Sequence, residues 1–139
     1  MAGIFPSVEW VTSFKDRLNN DEQYARIAKN WEGDLMFDIQ PGGVLTEAVQ
    51  IYLDLWHGKC RDAYIIDDQH APEKEAAFVL KAPFPNFARV LQGDLHPMQA
   101  MLTRKLDVKG NMPYMMRNVP TVLDFVRCAQ DNTNALLGE

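Results

Sequence analysis

An α+β fold is what this sequence predicts, and three observations carry the prediction. Apolar residues recur at helical spacing over residues 7–31, switch to a period of two from Gly33 to about Lys81, and return to helical spacing after Pro83. Strands grouped together in sequence, mostly linked as hairpins and flanked by helices, belong to the α+β class; alternating βα units do not. The 139 residues are the size of one domain, and no linker, repeat or low-complexity stretch divides residues 1–139.

The elements follow in order. Ser7 caps a first helix in which Val11, Phe14 and Leu18 recur with Trp10 beside them, and Asn19-Asn20 break it. Asp21 caps a second helix whose apolar face is Tyr24, Ile27, Ala28 and Trp31. Both helices are amphipathic, so both must lie on something. Leu35, Phe37 and Ile39 then alternate with Asp34, Met36 and Asp38, which describes a strand with one wet face, ended by Pro41-Gly42-Gly43. Residues 48–56 alternate likewise, with Val49, Ile51, Leu53 and Leu55 on one side. His57-Gly58-Lys59-Cys60 reads as a tight hairpin turn, and residues 61–66 return as its partner strand. A polar loop over residues 67–72 precedes a fourth strand at 75–81, read through Ala77, Val79 and their neighbours. Beyond Pro83, residues 84–92 place Phe84, Phe87, Ala88 and Leu91 on one helical face. Pro97 suits the first turn of a helix reaching about Arg104, with His96 before it as cap. Residues 106–109 make a short strand closed by Gly110-Asn111, residues 112–117 a turn of helix, and residues 120–132 the last helix.

Composition excludes several classes. Hydrophobic residues at 47% and charged residues at 24% are ordinary for a globular chain and exclude a disordered one. The longest apolar run, residues 76–80, is far short of the roughly 20 residues a spanning helix needs. Residues 1–10 lack the basic and apolar regions of a signal peptide, and the C-terminus carries no lipidation or peroxisomal signal. Cys60 and Cys128 lie far apart and read as reduced thiols, so a cytoplasmic location is expected. Residues 1–80 hold 7 Lys+Arg against 14 Asp+Glu, and residues 81–139 hold 7 against 5. Nucleic acid is a poor partner for such an acidic chain, because phosphate contacts need clustered Lys and Arg. Stable membrane insertion is not expected, although the mildly basic second half is suited to transient contact with an anionic surface.

Residues that could carry chemistry are few. His57 and Cys60 lie across a tight turn with no second pair, whereas zinc needs three or four converging ligands. Asp67, Asp68, His70 and Glu73 lack the glycine and closing glutamate of a calcium loop and read as solvated. No nucleophile elbow or phosphate-binding glycine pattern occurs. No catalytic residue, metal or cofactor is expected.

The methionines say more. Met98, Met101, Met112, Met115 and Met116, five of the seven, fall within nineteen residues. Unbranched and polarizable, Met suits surfaces that must fit varied apolar partners. With Phe84, Phe87, Leu91, Leu102, Val119, Leu123, Phe125 and Val126 around them, these residues describe either ordinary core or a deformable apolar pocket between helices and sheet. Such a pocket would gain roughly 0.8 kcal/mol per buried methylene of a lipid chain and would need no catalytic group.

A run of motifs marks residues 84–118: Phe87-Ala88-Arg89-Val90-Leu91-Gln92-Gly93, then Asp94-Leu95-His96-Pro97, then Ala100 to Thr103, and then Lys105-Leu106-Asp107-Val108-Lys109-Gly110-Asn111-Met112. In these the segment resembles the sterol carrier protein-2 domain family. Gly93, Pro97, Ala100, Lys105, Leu106, Gly110 and Asn111 stand at positions the family shares, and upstream the two helices, the segment from Trp31 to Ile39 and three more strands agree in order and length. Three features depart from the pattern. Arg104 stands where the family usually has the glycine that favours a left-handed helix exit. Met115 and Asn118 replace the commoner Ala and Leu, and Pro120 begins an unlike tail.

The resemblance implies a five-stranded, largely antiparallel sheet covered on one side by helices. It also implies a hydrophobic tunnel between the layers for sterols, fatty acids, acyl-CoAs or phospholipids, and no catalysis by the isolated domain. Carried over, the lining residues are Phe87, Leu91, Met101, Leu102, Leu106, Val108, Met112, Met115 and Met116, to which Phe84 of the same apolar cluster is added as the tenth, and the rim cations for a carboxylate or phosphate head are Lys105, Lys109 and Arg117. The function expected is intracellular transfer or storage of an apolar lipid by reversible burial, with residues 112–132 moving aside for exchange. The alternatives are an interaction module serving a lipid- or steroid-metabolising enzyme, and a small-molecule enzyme using His57 or His96.

Overall fold

The computed structural model of the chain describes residues 3–139. Its first half runs β1 (Ile4–Phe5), α1 (Val8–Asn20), α2 (Glu22–Ile27), β2 (Leu35–Gln40), β3 (Val49–Trp56), β4 (Lys59–Ile65) and β5 (Phe78–Pro83). The second half runs α3 (Phe84–Gln92), α4 (Pro97–Leu102), β6 (Asp107–Lys109), α5 (Met112–Arg117), α6 (Val119–Asp131) and β7 (Ala135–Leu136).

Five strands form one sheet in the order β4-β3-β2-β5-β6. The period-two pattern sets its register: Leu53, Leu35 and Phe78 align in one row across β3, β2 and β5, and Ile51, Phe37 and Leu80 in the next. All six face the helices and are buried, and a slip of one residue would turn each strand's apolar set to solvent. The sheet is mixed. β3 is antiparallel to β2 and β4, and β6 to β5, but the central pair β2 and β5 is parallel. The polar loop after β4 carries the chain from the sheet edge to the far side of β2, so β4 and β5 are not a hairpin. That loop also delays β5 to Phe78, because the Asp34 carboxylate accepts the Ala77 N–H at 2.6 Å and holds residue 77 outside the ladder. The β3–β4 turn is tighter than expected. Only His57 and Gly58 occupy it, both left-handed at φ 50° and 80°, the geometry of a type I′ hairpin.

The caps are those the sequence places. Ser7 Oγ accepts the Trp10 N–H, Asp21 accepts the Tyr24 N–H, and His96 Nδ1 accepts the Met98 N–H. β1 and β7 were not foreseen, since two residues each are too few to show a period. Ile4 and Phe5 pair in parallel with Ala135 and Leu136, tying the two ends of the described chain together. Beyond α4, Arg104 takes the left-handed conformation at φ 60° although it is not glycine.

Six aromatic rings close a circuit between the sheet and the helices. Phe5 meets Trp10 at 4.8 Å, Trp10 meets Phe14 at 4.8 Å, and Phe14 meets Phe125 at 5.2 Å. Phe125 then meets Phe37 at 6.1 Å, Phe37 meets Phe87 at 5.5 Å, and Phe87 returns to Phe5 at 6.4 Å. These separations fall within the range in which edge and offset contacts add to simple burial. A second cluster, Trp31, Phe78 and Tyr114, seats α5 on the sheet, with the Tyr114 hydroxyl accepting the Glu32 N–H at 2.9 Å.

Polar contacts fix α6. Arg127 donates to Asp21 at 2.8 Å and to both oxygens of the buried Asp124 at 2.8 and 3.2 Å, while Gln23 also donates to Asp124 at 2.7 Å. Partial burial pushes the Asp21 carboxyl up, but the Tyr24 N–H and the Arg127 guanidinium outweigh it and hold it below its ordinary value. A lowered carboxylate contributes stability above its unfolded value and loses it as pH falls through the folded one.

These contacts set the expected behaviour of two variants. Arg127→Leu should cost about 2–3 kcal/mol in urea denaturation at neutral pH, since Asp124 is left buried without its cation. Its stability should also fall less than the wild type's on acidification below about pH 4, because Asp21 no longer has the guanidinium to lose. Arg104→Gly should instead raise stability, by about 0.5–1 kcal/mol, as left-handed strain outweighs glycine's extra unfolded freedom.

Candidate functional site

Between the inner face of the sheet and the helices lies a narrow cavity of about 60 Å³ with a wholly apolar surface. The sheet supplies Leu35, Phe37, Leu55 and Leu80 as its floor. The helices supply Tyr24, Phe87, Val90, Leu91, Pro97, Met101, Met115, Val122, Phe125, Val126 and Ala129, and Phe5, Trp31 and Leu106 close the remaining walls. Thr121 also borders it, but its hydroxyl is turned to the Ile27 carbonyl at 3.3 Å. Burial drives the Tyr24 phenol upward, so that ring presents a neutral face. Most of the wall is fully buried, whereas Leu91, Met101 and Val126 are half-buried. The cavity therefore nears the surface between α3, α4 and α6.

Of the ten residues expected to line a pocket, the structure brings Phe87, Leu91, Met101, Leu106 and Met115 to this cavity. Phe84 is buried behind the wall, stacked on Phe5 at 6.3 Å, and Val108 and Met112 are half-buried against other parts of the core. Leu102 and Met116 lie outside the cavity on the surface, 76% and 47% exposed. Each follows directly on a lining methionine, and one residue step on a helix turns a side chain by about 100°. Of the expected rim cations, Lys109 pairs with Glu75 at 2.8 Å, while Lys105 and Arg117 are exposed and make no ion pair among the described residues.

The residues missed by sequence reasoning are the floor and the far end. Leu35, Phe37 and Leu55 were legible as the sheet's inward set, and only their sharing a space with the methionines was not; the fourth strand reads through Ala77 and Val79, whereas the structure turns Phe78 and Leu80 toward the helices. Phe5 carried no signal, since it reaches the cavity through the β1–β7 pairing.

The polar candidates do not converge. His57 Nε2 meets Glu32 at 2.6 Å at the exposed turn, while the Cys60 thiol is buried and contacts the Asp62 carbonyl. His70 stacks on Tyr64 with centroids 3.5 Å apart, and His96 serves α4 as its cap. Asp21, Asp124 and Cys128 approach one another closely, but Arg127 already supplies the cation to both carboxylates. Burial pushes the Cys60 and Cys128 thiols up to about 12, so both are protonated at neutral pH and are poor nucleophiles or ligands.

No curated protein matches the chain. The profile of the SCP-2 sterol transfer family matches residues 12–122. A crystal structure of sterol carrier protein 2 is 30% identical with a TM-score of 0.80, covering 90% of this chain and 96% of that one. A conserved hypothetical protein of Thermus thermophilus, described as a candidate sterol carrier protein, is 28% identical with a TM-score of 0.81, covering 96% and 93%. The Aedes aegypti sterol carrier protein-2 solved with the C16 fatty acid palmitate shares the fold, at 19% identity and a TM-score of 0.52 over 85% and 91%. With most of its length matched by the profile and its architecture shared with these structures, the chain belongs to the SCP-2 sterol transfer family.

Proposed function

We propose that the protein reversibly buries an apolar lipid, a sterol or a fatty-acyl chain, between its sheet and its helices, and carries or stores it in the cytoplasm without chemical conversion. The wholly apolar surface of the cavity between the two layers carries this reading. A site whose exposed surface is all apolar gains free energy from apolar area, at roughly 25 cal/mol per Å² removed from water. No nucleophile, base or metal ligand faces it among the described residues, so burial is the chemistry on offer. Membership of a lipid-transfer family supports the same reading.

Binding requires the cavity to widen. Ligand pockets are typically about 300–1,000 Å³, several times the 60 Å³ found here. The closing segment, residues 112–132, is not uniform in its freedom to move. α6 is held by the aromatic circuit, by Arg127, and by Gln130 donating to the Val90 carbonyl at 2.9 Å. α4 and its exit have lighter ties, the Leu106 N–H to the Ala100 carbonyl and Asn86 to the Lys105 carbonyl. The pliable wall is therefore centred on Met101 of α4, with Met115 of the ring-seated α5 beside it, two unbranched side chains that can change rotamer at little cost. Lys105 beyond α4 and Arg117 at the end of α5, both exposed, are the cations available to an anionic head group.

Trp31 lines the cavity and reports on it directly. Titration with palmitate should shift its fluorescence, brominated palmitate should quench it, and Trp31→Phe should lose most of the quenching. Met101→Trp should lower palmitate affinity on the order of tenfold by filling the pliable wall. An unquenched Trp31 with no heat of palmitate binding would contradict the proposal and favour an interaction module.

A further inference from the structure

Sulfur chemistry in this molecule falls to methionine. Cys60 and Cys128 are buried, and burial pushes both thiols up to about 12, so neither offers a thiolate to an oxidant at neutral pH. A thioether has no proton to lose, and its oxidation depends on access alone. Access and position then sort the methionines. Met36 is half-buried on the sheet face away from the helices. Met98 and Met112 are half-buried against the core outside the cavity, and Met116 is 47% exposed and outside it too. Met115 lines the cavity but is only 3% exposed. Met101 alone among the described methionines both lines the cavity and is half-buried, where the space nears the surface.

The same position makes Met101 the methionine at which oxidation matters. An oxygen on its sulfur turns a flexible apolar side chain into a polar one. The cavity surface is wholly apolar, so no donor there meets the new oxygen. On neighbouring walls, the Trp31 indole N–H donates to the Gly33 carbonyl at 2.8 Å and the Thr121 hydroxyl to the Ile27 carbonyl at 3.3 Å. A sulfoxide facing the cavity is thus an unpaired polar group, and one swung out to water removes its side chain from the wall. In both cases the wall no longer closes on an acyl chain.

We propose that Met101 is a modification site, at which hydrogen peroxide converts the thioether to a sulfoxide and thereby lowers the protein's hold on its lipid. The sulfur lone pair takes one peroxide oxygen and the O–O bond breaks. The proton carried by that oxygen passes to the departing hydroxide, giving water. Sulfur is oxidised and peroxide reduced, and no metal or further co-reactant takes part. The inference rests on the lipid-binding reading and gives that same site a chemical control.

The test follows peroxide-treated protein by peptide mass mapping and palmitate titration together. Met116 and Met101 should gain oxygen ahead of Met115, and palmitate affinity should fall on the order of tenfold in step with Met101, not with Met116. Bound palmitate should slow oxidation of Met101 and leave that of Met116 unchanged, since only the former faces the ligand. Methionine sulfoxide reductases of both epimer specificities, with dithiothreitol as reductant, should restore affinity, which separates the effect from unfolding. Met101→Leu, compared with itself before and after peroxide, should keep one affinity, whereas Met116→Leu should lose affinity as the wild type does. An affinity that survives full conversion of Met101 would overturn the proposal. So would a Met101→Leu protein as peroxide-sensitive as the wild type, or a Met101 no better protected by palmitate than Met116. Those results leave the carrier reading standing; untreated protein that takes up no palmitate would sink that reading, and the proposal with it.

Discussion

The closed circuit of Phe5, Trp10, Phe14, Phe125, Phe37 and Phe87 is the constraint on which the architecture turns. It joins the N-terminal strand β1, the first helix, the last long helix, the central strand and α3, five elements spread over 121 residues from Phe5 to Phe125. Aromatic rings suit this role because each covers a large area with only two side-chain torsions to fix. With the rings in place, the helices can lie only on one face of the sheet, and the gap beside the circuit becomes the cavity. Four of the six rings, Phe5, Phe37, Phe87 and Phe125, face that cavity, so the same side chains hold the fold and bound the site.

Two kinds of wall result. On one side, β2, α3 and α6 are fixed by rings, by Arg127 and its carboxylates, and by the Asn132 side chain bonded to Trp10 and Ser13. On the other, Met101 and Met115 stand on six-residue helices with few polar ties. Well-packed interiors do not deform continuously, so a cavity this narrow can admit a chain only where its packing is pliable. Clustered methionine provides that pliability, and the densest run of methionines in the sequence coincides with these short helices. The rigid wall preserves the fold while the soft wall adapts to the ligand.

Much of this was legible in the sequence, for identifiable reasons. Strand alternation through Leu35, Phe37 and Ile39, the Ser7 and Asp21 caps and the Pro97 helix start are local signals, and each reappears in the structure. The parallel pairing of β2 with β5 was not legible, because it depends on where a polar loop delivers the chain. Nor was the role of Phe5, which follows from two-residue strands at opposite ends of the chain. Among the expected lining residues, Leu102 and Met116 show the limit of composition. A methionine or leucine in an apolar cluster is equally at home inside the wall or on its outer shoulder, and helix rotation decides between them. Arg104 shows the opposite limit, for its backbone keeps the left-handed exit although the residue that favours it is absent.

The account rests on the claim that the cavity opens to hold a lipid. Native mass spectrometry of freshly purified protein, with organic extraction of whatever accompanies it, tests that claim most directly. A stoichiometric adduct, identified after extraction as a sterol, a fatty acid or a phospholipid, is the result predicted. A protein of unadorned mass that also takes up no added palmitate would contradict it.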